Sequence, residues 1–596
     1  RDLHTAYRRQ RQMCIRDRGF SSNYGNTKNL KTLIIENGIT SIADNAFSYL
    51  KTLSTIDLSQ NQTLQTIGTQ AFVSDGLTTL ILPDSVTTIG SQAFESNPLT
   101  DVTFSKKLQT IGSEAFEYDP LTTVDLSNTA LTTIGDNAFF STRIASLSLP
   151  NSLQTIGTKA FASISELTSV VIPTGVITIG DSAFIQDNNL ANLTFATGSQ
   201  LQTIGENAFT YDGVTSLDLP ESLITIKEGA FSANTQLMTL NFAANGNLAT
   251  IGAHAFENDN GLTTVTLPAS LTTLGDFAFS TNHNLSAVTF TDGAQPVTIG
   301  NSAFIYDTKL TSVTLPANLT SIGEQAFLSA TSLSNINFPA GLVSIGDNAF
   351  TYDQALQTID MTGALSLTTI GNGAFEYAGL TGEVTLPTHL MTIGNLAFAA
   401  NNLTGVVLNS NLQTVGDSAF IYNNLMGSVL FPATLTSIGQ MAFFGNQLTG
   451  VSLPATVNQV GANAFSYNQI SNLSAGSGTS SLALNQSAYY FVDKQPTVSL
   501  SDLFTVGLGD QTITGANISK LTAGVTLNSD GTFDVPAGVE QFTFNWSMTD
   551  NGATYTGQYQ VVMDNPDIKV HNATVFYGDN CCLLYTSDAA DDMQCV

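Results

Sequence analysis

The chain has 596 residues, a net charge of −29 and a composition that is 42% hydrophobic but only 11% charged. So acidic a chain lacks the cationic contacts that nucleic acid or an anionic membrane surface requires. Its length exceeds what one hydrophobic core usually organises, a limit that a repeat array escapes because its core grows in one direction.

Residues 1–18 hold six of the seven arginines, Arg1, Arg8, Arg9, Arg11, Arg16 and Arg18, and share no pattern with the rest of the chain. They read as a non-native head of the kind that sequencing adapters leave; the alternative is a basic, disordered arm. Residues 581–596 read as a non-native tail on the same grounds. On this reading the native gene extends past both ends, with signal and anchor outside this chain. Cys14, Cys581, Cys582 and Cys595 stand near the two ends, so the body carries neither a disulfide framework nor a thiolate metal site. No apolar run is long enough to span a bilayer.

From residue 19 to 470 one unit recurs. An Ala-Phe pair marks each copy, from Phe47 through Phe304 and Phe327 to Phe465, nineteen in all and spaced by roughly 23 residues. Such a unit cannot bury its apolar face alone, so the copies must stack. In the copy Leu262–Phe279, the pattern Leu262, Val265, Leu267 predicts a short strand with one buried face. Pro268 ends the strand pairing, because it has no N–H. Leu271 and Leu274 turn inward on a second extended piece. Gly275 is expected to turn the chain in a conformation that a β-carbon would penalise. Asp276 suits the N-cap of one helical turn carrying Ala278 and Phe279.

This pattern, L-x-x-I-x-[LI]-P followed by I-G-x-x-A-F, resembles the BspA-type leucine-rich repeats of bacterial and protist surface proteins. The resemblance covers about three quarters of the chain. It implies a β-rich leucine-rich-repeat solenoid, with short strands plus one helical turn per coil. Family repeats often carry Cys three residues after the Phe. Here that slot holds Asp75, Asp119, Asp187, Asp212, Asp259, Asp307 and Asp353, or Asn97, Asn234, Asn282, Asn401, Asn423, Asn446 and Asn468. These are read as a ladder whose side chains cap turn N–H groups in their own and neighbouring coils. A calcium-binding role is the alternative, although EF-hand and glycine-rich calcium spacings are absent.

Residues 471–485 form a Gly/Ser linker. Residues 486–565 change character: Tyr489–Val492, Gln511–Ile513, Gly524–Leu527, Phe542–Trp546 and Tyr559–Val562 read as strands, with Asn528–Gly531 and Asp550–Gly552 as hairpin turns. Strands at this spacing suggest a small β-sandwich with Trp546 in its core. It resembles the immunoglobulin-like modules of Gram-positive surface proteins. Residues 566–580 resemble the start of a further, truncated module.

Chemistry is sparse. His4, His254, His283, His389 and His571 show no metal-ligand spacing. No nucleophile, phosphate-binding or dinucleotide motif stands in a strand–helix context. The chain therefore reads as no enzyme, with no catalytic residue, cofactor or metal.

Two surface rows remain. The exposed strand slot, expected on a concave sheet, includes Asp125, Asp218, Asn241, Thr266, Thr289, Thr314, Asn337 and Asp360. It is either a binding face or merely a solvated sheet, and it lacks the Trp, Tyr and Arg of interface hot spots. A second row, two residues after the Phe, includes Tyr211, Tyr306, Tyr352, Tyr377 and Tyr422. Such an aromatic edge can dock sugar rings or protein, and coil-to-coil stacking explains it as well. The resemblance implies an extracellular, cell-wall-associated adhesin that binds a host or microbial surface protein or glycan, without nucleic acid and without direct membrane insertion. The alternatives are a structural spacer that presents another module and, without support from any motif, a surface enzyme. Ligand and oligomeric state are not legible.

Overall fold

The computed structural model describes residues 30–468, 470, 472–475, 486–492, 498–504, 513–550 and 553–563. The head, the tail and the truncated module at residues 566–580 lie outside these, as does most of the linker.

Among the described residues all coils but one begin with a short strand; the exception is residues 357–360, so Asp360, expected in the exposed strand slot, does not lie on a strand. In Thr264–Leu267, Val265 and Leu267 are buried while Thr264 and Thr266 face outward, the alternation that a pleated strand imposes. The chain then leaves through a tight turn in which the Pro268 carbonyl accepts the Leu271 N–H at 3.1 Å. Next comes a second strand of two residues, Thr273–Leu274 in this coil. Nineteen of these second strands pair in parallel into one continuous ladder, from Ser41–Ile42 to Gln459–Val460. The ladder is open: among the described residues each of those end strands has a single neighbour. The first strands pair less regularly, in seven separate sheets of two to four strands.

The segment carrying Ala-Phe departs from the expected helical turn. It is a run of tight turns in which φ is +55° at Phe277 and +60° at Thr281, and equivalent residues are left-handed throughout the array. A right-handed helix requires φ near −60°, so the two conformations are incompatible. The backbone bonds show what replaces it. The N–H groups of Phe277, Phe279 and Thr281 donate to the carbonyls of Asn301, Ala303 and Ile305 in the next coil, at 2.8–2.9 Å. Alternating handedness points every second N–H along the array axis, so this side of the coil is stitched to its neighbour as a strand would be. Asp276 likewise caps across coils and not within its own: its Oδ1 accepts the Asn301 N–H at 2.7 Å.

Gly275 also differs from expectation. Its φ is not left-handed. A β-carbon there would lie 2.5 Å from Gly252 C and Ala253 N of the preceding coil, so close backbone approach requires the glycine.

The core is a continuous apolar column. Phe47 through Phe465 stack ring on ring in eighteen consecutive pairs, with centroids 5.1–5.7 Å apart and planes within 15° of parallel. Parallel strands repeat at about 4.8 Å, so the longer centroid spacing means that the rings are offset, the arrangement that aromatic quadrupoles favour.

Asn472–Ala475 lies in the stretch read as linker and instead pairs in parallel with Gln447–Leu453, adding a strand to the last repeat sheet. Beyond it stand a four-stranded sheet, ordered Gln486–Val492, Ala553–Met563, Gln541–Asp550, Ile518–Ser519, and a three-stranded sheet, ordered Val498–Ser499, Thr532–Asp534, Thr526–Leu527. Phe533, Phe542, Phe544, Trp546 and Tyr559 are buried there. The turn at Asn528–Gly531 closes with Asn528 N–H on the Thr532 carbonyl at 2.8 Å, as the sequence suggests. Residues 551–552 of the second expected turn and 511–512 of the expected strand lie outside the described residues.

Candidate functional site

The Asp/Asn ladder lies inside the array. Its aspartates and asparagines are buried, at 0–5% exposure in nearly every copy. The asparagines cap N–H groups across coils as expected, but within their own coil they donate to carbonyls instead, and the Oδ1 atoms of Asn234 and Asn282 are buried without a partner. The Oδ1 of Asn401, Asn423, Asn446 and Asn468 accepts the N–H of Leu380, Leu403, Leu425 and Leu448 in the preceding coil, at 2.9–3.1 Å. Their Nδ2 groups donate to the carbonyls of two stacked phenylalanines; Asn446 reaches Phe420 at 2.9 Å and Phe443 at 3.0 Å. The aspartates accept a backbone N–H one coil back: Asp75 from Leu50, Asp187 from Ile164, Asp259 from Asn234 and Asp307 from Asn282, at 2.6–2.7 Å. Among the described residues no three Asp, Glu, His or Cys side chains stand together in a metal-ligating group.

All eight residues named in the strand row are exposed. Thr266, Thr289 and Thr314 stand in register on three adjacent strands. Asp218 and Asn241 are register partners, and the Asn241 Nδ2 donates to the Asp218 carboxylate at 2.7 Å. Other members serve the backbone. Asn337 takes the Leu315 N–H at 2.8 Å and returns a bond to the Leu315 carbonyl, substituting for strand pairing where Asn335–Ile336 ends. Asp125 and Asp360 close local turns, accepting the N–H and hydroxyl of Ser127 and Thr362. These hydroxyl bonds, helped by the N–H bonds, hold both carboxyls below the usual range. The row therefore divides into turn-formers (Asp125, Asp360), side chains bonded to a neighbouring coil (Asn337, Asp218, Asn241) and, among the described residues, the free threonines Thr266, Thr289 and Thr314. The signal was present in the sequence, since Asp125 and Asp360 each precede Ser or Thr by two residues.

The tyrosines share the left-handed slot two residues after the Phe, with φ of 52–66°. Tyr211, Tyr306, Tyr352 and Tyr422 are exposed, Tyr211 at 56%, and Tyr377 is half-buried. Tyr352 and Tyr377 stack at 5.4 Å. Tyr422 packs edge-on to Phe444 at 5.7 Å and lies over Gly445, where an added β-carbon would sit 2.8 Å from its ring. In the sequence the equivalent slot of the following coil is also small after Tyr211 and Tyr306, where it holds Ala233 and Ser329, but it is Tyr377 after Tyr352.

Sequence reasoning missed a second outward row. Thr66, Thr88, Thr110, Thr133, Thr155, Thr178 and Thr203 occupy successive strands of the continuous ladder in strict register. The recurrent Thr-Ile-Gly triplet was its signal.

A solenoid of short parallel strands with a repeated Leu/Ile/Phe core defines a leucine-rich-repeat protein. The profile of the BspA type leucine rich repeat region matches six times, over residues 20–131, 87–212, 132–247, 202–304, 297–426 and 421–531, so the chain belongs to that family. Among solved structures it is similar to a leucine-rich repeat protein from Bacteroides ovatus, with 22% identity over 59% of this chain and 79% of that one, TM-score 0.40. It is also similar to a leucine rich cell surface protein from Faecalibacterium prausnitzii, with 20% identity over 63% and 88%, TM-score 0.30. A third likeness is to the pneumococcal vaccine antigen PcpA, with 16% identity over 70% and 86%, TM-score 0.26. A comparison with curated protein sequences returned no match.

Proposed function

We propose that this protein is an extracellular, wall-associated adhesin that binds a surface protein or glycan of a host or neighbouring microbe along its first-strand face. One observation carries the reading. Thr266, Thr289 and Thr314 stand exposed and in register, and their hydroxyls have no partner among the described residues. At a strand repeat of about 4.8 Å, such a row presents donors and acceptors along a line that an extended polymer can follow. Short polar side chains suit hydrogen bonding to sugars or to a peptide backbone. A net charge of −29 favours a neutral or cationic partner over an anionic one. In this reading residues 486–565 form an immunoglobulin-like sandwich that serves as a stalk. No helix among the described residues is long and apolar enough to cross a membrane.

A second reading, a spacer, is favoured by the use of Asp125 and Asp360 in turns and by the absence of Trp and Arg from the row. A solid-phase assay separates the two. The full chain and a fragment of residues 28–475 are applied to mucin, matrix proteins and immobilised glycans. Retention by both supports the adhesin. Binding by the full chain alone assigns recognition to the C-terminal part and makes the array a spacer.

A further inference from the structure

The ladder aspartates lack the donor that the ladder asparagines use, although the Oδ1 atoms of Asn234 and Asn282 are themselves buried without a partner. An amide brings both an acceptor and donors, and each asparagine uses its Nδ2 on the carbonyls of the stacked phenylalanines, as Asn282 does on Phe256 and Phe279 at 2.9 and 2.8 Å. An ionised carboxylate brings acceptors only. Asp307 spends Oδ1 on the Asn282 N–H, and its Oδ2 is buried without a partner. The Oδ2 atoms of Asp119, Asp187, Asp212 and Asp259 are in the same condition, and at Asp353 both carboxylate oxygens are buried without a partner. An uncompensated charge in so dry a position is costly.

The surroundings do not offset that charge. Glu95 bears on Asp119 and Glu257 on Asp259, while Asp187 and Asp212 repel each other. Among the described residues no charged group bears on Asp307 or Asp353. Among the described residues, of the ladder aspartates only Asp75 has a cation bearing on it, Lys51. A proton on Oδ2 removes the charge and at the same time creates the donor that an asparagine supplies at this slot.

We propose that Asp119, Asp187, Asp212, Asp259, Asp307 and Asp353 are carried in the folded array as neutral carboxylic acids, the acid hydroxyl taking the place of the asparagine amide as donor to the phenylalanine carbonyls, so that the array is held most firmly at acidic pH. Burial, the leading cause at each position, supports this by holding the carboxyls well above the usual range; at the less enclosed Asp75 it pushes the value up to about 8. The unfolded chain releases these protons near pH 4, whereas the folded array keeps them. Unfolding above that pH therefore releases protons, and stability falls as pH climbs toward the folded-state values. Each retained proton shifts the unfolding equilibrium by up to about tenfold per pH unit in that window.

The test uses the full chain and the double variant Asp307→Asn, Asp353→Asn, chosen because no other charge faces either site. Both are melted at about pH 4, 6 and 8. The two should melt together at the acidic end, and the variant should melt progressively higher than the parent as pH rises. Infrared spectra at neutral pH should show a protonated-carboxyl C=O band in the parent that weakens in the variant. A gap that does not change with pH, a variant that melts lower throughout, or no carboxyl band in the parent would each overturn the proposal.

Discussion

The rings of Phe304 and Phe327 lie parallel with their centroids 5.2 Å apart, each wholly buried and each one link in a stack that runs from Phe47 to Phe465. Truncating one ring removes a side chain and leaves both neighbours facing a void. Phe304→Ala should therefore destabilise by roughly 3–5 kcal/mol. Thr314→Ala, on the exposed strand face, should change stability by less than about 0.5 kcal/mol. Thermal or denaturant melts of both variants check the inward and outward assignments, which fail if the two effects are equal.

Two glycines separate lack of space from backbone strain. At Gly275 an added β-carbon meets the preceding backbone at 2.5 Å, while at Gly198 nothing lies within 4 Å but φ is +76°. Gly275→Ala must push two coils apart and should cost about 3 kcal/mol, the upper end of overpacking effects. Gly198→Ala meets only the left-handed penalty, about 1–2 kcal/mol. Comparative melts should rank the two in that order, and a larger loss at Gly198 would refute the close-approach account.

Much of this architecture was legible because one interval does not vary. The inward apolar residue of every second strand stands five residues before the Phe, as Ile67 does to Phe72 and Ile438 to Phe443. A fixed interval keeps the continuous ladder in register. The interval from Phe to the first strand changes, from eight residues at Phe94–Val102 to nine at Phe161–Val170. Where it shortens from nine residues at Phe375–Val384 to eight at Phe398–Val406, the first-strand pairing shifts register between Gly382 and Glu383. The left-handed turns were not legible, because Asp276, Ala278 and Phe279 fit a capped helix equally well. Nothing in residue type revealed that Phe277 adopts φ of +55°. In the candidate site, the outward positions followed from strand alternation. Which of them were free did not, because alternation is silent on the local turns that Asp125 and Asp360 close with Ser127 and Thr362.

Shape follows from the ladder. Nineteen coils at about 4.8 Å per strand make an array on the order of 90 Å long. Small-angle scattering should give a distance distribution with a long tail, and a compact, symmetric distribution would contradict the solenoid.

The last prediction concerns how binding is distributed. Among the described residues the first-strand row offers no Trp or Arg anchor; its outward members besides the turn-formers are short hydroxyls, the bonded Asp218–Asn241 pair and single aliphatics such as Ile81, Val171 and Leu430. Hot-spot recognition needs large buried side chains, so affinity here must come from many small contacts in series. Each coil contacts only its neighbours, so a whole repeat can be removed without dismantling the rest. Deleting residues 280–304, one full coil from the residue after Phe279 to Phe304, should shorten the row and leave the stack continuous. Binding to an immobilised surface ligand should weaken in steps as one, two and three such coils are deleted. Asp218→Ala alone should change affinity by less than about tenfold, because a single surface contact contributes little. Surface plasmon resonance across the deletion series measures this directly. If affinity stays constant until one particular coil is lost and then vanishes, recognition sits in a local pocket and not along the row.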